Sequence, residues 1–86
     1  MKHAGSEALD QLEPVLARLR RLEGLCERKR GTFYRGSSAF LHFHEDPAGM
    51  FADLKVEGEF VRMRVNDGRE ADALVARAER ALKDPR

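Results

Sequence analysis

Two histidines separated by one residue mark the part of this chain best suited to chemistry. They lie in the run Phe40-Leu41-His42-Phe43-His44-Glu45-Asp46. If that run is a strand, successive side chains alternate and both imidazoles project from one face. Three kinds of site can use such a pair. A metal would need a further donor, commonly a carboxylate. An anion would need guanidinium partners alongside the imidazoles. A polar network would need only a carboxylate that accepts hydrogen bonds from its neighbours.

The residues that must position the pair are read from the turns. Strands are expected at 32–35, 38–44, 50–56 and 60–65, where hydrophobic period changes to two. Gly36-Ser37, Asp46-Pro47-Ala48-Gly49 and Glu57-Gly58 supply three turns, with proline pre-set and glycine free to take positive φ. These turns fix the register. They place Leu41, Leu54 and Val61 in one row, and Phe43, Ala52 and Met63 in the next, with Met50 beside Val65. That face is apolar throughout and is the core face.

The opposite face then carries Phe33, Phe40, Lys55 and Phe60 in one row. His42, Asp53 and Arg62 form a second row, and His44, Phe51 and Arg64 a third. Asp53 is thus the candidate carboxylate partner of His42, which would favour the charged imidazole. A dimer closed by this face would then respond to mild acidity. His42, His44, Asp53, Arg62 and Arg64 form a candidate anion or ligand site. Arg62 and Arg64 in the same rows would repel a cation, so no metal and no other cofactor is expected.

Four of the five phenylalanines point outward in this register. A wet antiparallel face would be polar there. Phe33, Phe40, Phe51 and Phe60 therefore read as an interface, most simply that of a homodimer, with another protein as the alternative partner. Two further readings compete: helices on opposite faces that make the phenylalanines ordinary core, and a small-molecule site roofed by a loop.

The elements around the sheet are helical. Leu12, Val15, Leu19, Leu22 and Cys26 recur at steps of three and four, a buried helix face widened by Leu16 and Leu25. This first helix begins at Ser6 or restarts at Pro14, with capping-box spacing from Asp10 to Glu13. Arg28-Lys29-Arg30 suits its negative end, and Gly31 its left-handed stop; Gly24 marks a possible earlier break. The last helix follows Asp67 and Glu70, also at capping-box spacing. It buries Ala71, Leu74, Val75, Ala78 and Leu82, and Asp84-Pro85 ends it. Residues 1–6 read as a loose leader. The expected fold is α+β and two-layer: an N-terminal helix, a four-stranded antiparallel β-meander and a C-terminal helix, in one domain over residues 1–86.

Composition bounds the function. The 86 residues are 36% charged and 42% hydrophobic, with net charge +1, which describes a globular chain. The longest apolar run, Ala73-Leu74-Val75-Ala76, is far short of the ~20 residues of a membrane span. The N-terminus lacks the apolar stretch of a secretory signal. One cysteine cannot form an internal disulfide, so Cys26 reads as inert core and the expected compartment is the cytoplasm.

Residues 18–35 hold seven basic and two acidic side chains, a net of +5, and residues 36–61 one basic and five acidic, a net of −4. The basic run lacks a nucleic-acid signature and reads as a solvated helix face, so nucleic acid is not an expected partner. No nucleophile stands near a general base in a way that spacing supports, so an enzyme is not the leading reading. Element order alone resembles the small bacterial domains called TfoX N-terminal and YjbR-like, a likeness of architecture that implies no activity. The arginine- and alanine-rich usage suits a bacterial genome of high GC content.

Overall fold

A computed structural model of the chain describes residues 1–83. The expected helix end at Asp84-Pro85 lies outside them. The elements are β1 (Lys2–His3), α1 (Ser6–Arg20), β2 (Cys26–Lys29), β3 (Thr32–Arg35), β4 (Ser38–Asp46), β5 (Gly49–Val56), β6 (Glu59–Arg64) and α2 (Gly68–Lys83). The fold is α+β with one antiparallel sheet, as expected, but the sheet has six strands where four were anticipated. Strands β2 to β6 run side by side in chain order, and β1 pairs with β4. Among the described residues no helix is long and apolar enough to cross a membrane.

Both helices pack on one face. Leu9, Leu12, Val15, Leu16 and Leu19 of α1 and Leu74, Ala78 and Ala81 of α2 share a core with Leu41, Phe43, Ala52 and Leu54 of the sheet. The layers are therefore two, and the far face of the sheet is left without a helix.

Each of the two added strands has an identifiable cause. Apolar spacing carries the first helix toward Cys26, but the helix stops at Arg20. Its last N–H groups turn to tighter bonds, Arg21 N–H to the Arg18 carbonyl and Leu22 N–H to that of Leu19. Gly24 then takes φ +93° and breaks the path. Residues 26–29 instead pair with β3, Cys26 opposite Tyr34 and Glu27 opposite Phe33. Cys26 is exposed on this edge strand, which corrects its assignment to the core. Gly31 has the expected positive φ, +80°, but it closes the β2–β3 hairpin and not the helix.

Strand β1 replaces the loose leader. Nine-residue β4 faces only four residues of β3, so the far end of that edge needs backbone partners. Lys2 and His3 supply them opposite Glu45 and His44, and Ala4 N–H donates to the Phe43 carbonyl.

Much of the basic run binds elements together. Arg20 bonds Glu13 and Glu27, and Arg30 bonds Asp10 and Glu13, tying the β2–β3 hairpin to α1. Asp10 and Glu13 therefore serve as ion-pair partners to the hairpin. Arg35 donates to the carbonyls of Ala81 and Leu82 near the end of α2, where a cation is favoured. The second capping box forms: Glu70 N–H donates to Asp67 Oδ1, and Glu70 Oε1 accepts from Asn66 N–H.

Candidate functional site

From β4 to β6 the register is the one dictated by the turns. His42 faces Asp53 and Asp53 faces Arg62; His44 faces Phe51 and Phe51 faces Arg64; Leu41 faces Leu54 and Leu54 faces Val61. The register departs from expectation between β3 and β4. Arg35 pairs with Ser38 and Tyr34 with Ala39, but Phe33 pairs with Leu41, so Phe40 is an extra residue in a β-bulge. A one-residue slip exchanges the faces of a strand. Phe33 is fully buried and Phe40 is 3% exposed, both within the core cluster. The expected outward row of Phe33, Phe40 and Phe60 does not form. Phe33 and Phe40 are core residues and are not available as an interface.

What remains on the open face is polar at its centre. Asp53, 8% exposed, accepts two bonds from Arg62, Nε to Oδ1 and Nη2 to Oδ2, each 2.9 Å. Its Oδ2 also lies 3.6 Å from His42 Nε2 and 3.2 Å from His44 Nε2. His44 Nε2 is buried yet makes no hydrogen bond among the described residues, since it lies out of line with the nearby carboxylate. One ligand atom from each of His42, His44 and Asp53 lies within 4.8 Å of the others. Phe60 meets the His42 ring edge-on at 5.1 Å between centroids.

A third imidazole joins them. Strand β1 sets His3 opposite His44, and their rings stack at 4.8 Å between centroids. His42 and His44 meet at 4.9 Å, and His3 and His42 at 5.9 Å. The three histidines of the sequence thus share one spot. Sequence reasoning missed His3 because a two-residue strand has no periodicity; the available signal was the unpaired length of β4.

Arg64 does not join the cluster. Its Nε lies 3.5 Å from Glu70 Oε2, and its guanidinium carbon stands 5.7 Å from the Phe51 ring centre. Phe51 is half-buried, while Phe60 remains 45% exposed beneath the Lys55 ammonium, 5.3 Å from the ring centre.

The Arg62 hydrogen bonds hold the Asp53 carboxyl below its ordinary range, against an opposing effect of burial. Burial pushes the His42 imidazole down, helped by the neighbouring His44, and this outweighs the pull of Asp53. Asp53 favours the charged imidazole as expected, but the net direction is downward because burial and His44 outweigh it.

Above the ordinary histidine pKa of about 6.5, His42 is neutral folded or unfolded. As pH falls below that value the unfolded chain gains a proton that folded His42 resists, so stability declines until the lower folded value is passed. The urea midpoint is expected to drop between about pH 7.5 and 5.5, and His42→Gln to remove part of the drop. A wild-type midpoint that stays level across this range would contradict the assignment.

No known protein family, curated protein or solved structure matches the chain.

Proposed function

We propose that the protein is a small-ligand-binding module whose site is the cluster of His3, His42, His44, Asp53 and Arg62 on the open face of the sheet. The observation that carries this reading is the convergence of two imidazoles on one buried carboxylate, with a third imidazole packed against them, where no helix covers them. Sites for organic molecules are concave, and His3, His42 and His44 line none of three clefts of about 350, 370 and 490 Å³, the largest of which is formed by Met1, Lys2, Glu45, Asp46 and Pro47. The most apolar of the three, of about 350 Å³, is lined by Leu12, Val15, Met50, Val65 and Ala71. The fitting ligand is therefore of the size of an ion, held by a few convergent polar atoms.

Imidazole nitrogen NMR tests this directly. Titration with zinc chloride and, separately, with sodium phosphate should move the ring signals of His42 and His44 with at least one of the two, and saturably. Ring signals that respond to neither would remove the proposal.

Association of two copies through the same face is the second reading, and Phe60 is the feature that favours it. An exposed aromatic beside a polar cluster is a common interface constituent. Face-to-face pairing would, however, bring Lys55, Arg62 and Arg64 of one copy toward those of the other, which opposes it.

A further inference from the structure

We infer that the open face binds a divalent transition-metal ion of the zinc class through His42 Nε2, His44 Nε2 and Asp53 Oδ2, with His3 as a fourth ligand. This deepens the ligand-binding reading above and rests on it.

Both imidazoles stand at a shared-ion distance from the carboxylate, and the full set of three donors, spread over 4.8 Å, closes on one ion with a small rotation of the rings. Two donors bound to zinc at about 2.0–2.2 Å with a tetrahedral angle stand about 3.4 Å apart. The two imidazole nitrogens lie 3.6 and 3.2 Å from Asp53 Oδ2. Imidazole rings on one such ion have centres about 5 Å apart, and the three pairs here span 4.8 to 5.9 Å. The set of two or three imidazoles and one carboxylate suits zinc and its neighbours, not calcium or magnesium, which take oxygen.

His44 supplies an independent observation. Its Nε2 is buried and makes no hydrogen bond among the described residues. Such atoms are rare, and a coordinated cation or an ordered water is what satisfies them; with Asp53 Oδ2 3.2 Å away, a cation would serve both atoms at once. His3 is exposed and at the margin of the cluster, so its ring is free to turn toward the other donors.

The arginines, which at first sight exclude a cation, are accounted for by their partners. Arg64 pairs with Glu70 of α2. Arg62 occupies one acceptor position on each Asp53 oxygen, and a carboxylate offers about four such positions. It thereby orients the carboxylate and leaves Oδ2 able to bind on the side of the imidazoles, as outer hydrogen bonds do at metal sites. Its side chain is 51% exposed, so water screens its charge. An anion fits less well, because Asp53 would repel it from the centre of the cluster.

Isothermal titration calorimetry with zinc chloride on the full chain tests the inference, with cobalt absorption as a second reading. One zinc per chain is expected, and cobalt should show the visible bands of a low-coordinate nitrogen and oxygen site. His44→Gln, His42→Gln and Asp53→Asn should each weaken zinc binding by about a hundredfold, and His3→Ala and Arg62→Gln by about tenfold. Circular dichroism of each variant separates lost ligation from lost folding, and His44→Gln keeps the test alive if Asp53→Asn does not fold. Absence of zinc binding to the wild-type chain overturns the inference. So does zinc affinity unchanged in a folded double variant, His42→Gln with His44→Gln. If phosphate alone moves the ring signals of His42 and His44, the metal is wrong but the ligand site stands; if neither zinc nor phosphate does, both fall.

Discussion

Phe33→Asp is expected to leave no native fold, and Phe40→Asp to do nearly the same. Phe33 is fully buried and Phe40 is 3% exposed, and both belong to the core that the helices cover. Truncating a buried phenylalanine typically costs about 3–5 kcal/mol, and aspartate adds the cost of burying a carboxyl without a partner. A chain of this length has about 4–13 kcal/mol in total, so either change removes most or all of it. Loss of the far-UV circular dichroism of the sheet and of any cooperative urea transition is the expected readout. Phe60→Asp is the contrasting case. Phe60 is 45% exposed, and its replacement should leave the transition within about 1 kcal/mol of wild type. Sedimentation of the same variant would show a dimer becoming a monomer if two copies meet through this face. A native, cooperatively folded Phe33→Asp protein would contradict the β-bulge and the core built around it.

Gly49→Ala is the second large effect. Gly49 has φ +131°, a region that other residues rarely enter. An added Cβ would stand 2.7 Å from Asn66 Oδ1 and 2.9 Å from its Nδ2. That oxygen accepts the Met50 N–H at 2.6 Å, and the Asn66 backbone N–H is bonded to Glu70 at the start of α2. Strain at the turn is therefore joined by loss of the contact that fastens the turn to the last helix. A cost of about 3 kcal/mol is expected from the urea midpoint. Gly58→Ala, at φ +85° with nothing within 4 Å of the new Cβ, should cost only about 1 kcal/mol. Equal costs at the two positions would show that Asn66 does not matter.

Much of the architecture was legible because its causes are local. The helical stripe through Leu19 reflects one buried face, and Asp67 with Glu70 marks the start of α2. The turns at Pro47-Ala48 and Glu57-Gly58 are short enough to fix register, so His42, Asp53 and Arg62 came into one row correctly. The misses have equally physical sources. Leu22 and Cys26 continue helical spacing beyond a glycine whose φ stops the helix, so β2 was hidden inside an apparent stripe. The bulge at Phe40 turns on fitting both rings into the core, which no turn residue announces. At the site, His42, His44, Asp53 and Arg62 were found because they share a hairpin register. Arg64 was assigned by that same register, but a long side chain chooses its partner by reach, and Glu70 lies within it. His3 depended on an edge far away along the chain.

That distance governs the order in which the cluster is assembled. The strands β2 to β6 join neighbours in sequence through short hairpins, whereas β1 must find residues 41 positions away, His3 opposite His44. Contacts of high sequence separation carry a larger loop-closure entropy and form late. A strand of two residues adds little cooperative stability once docked, so it is also the first element to fray. The sheet can therefore stand complete from β2 to β6 while the third imidazole is still detached, making the docking of β1 the last step in bringing the three histidines together.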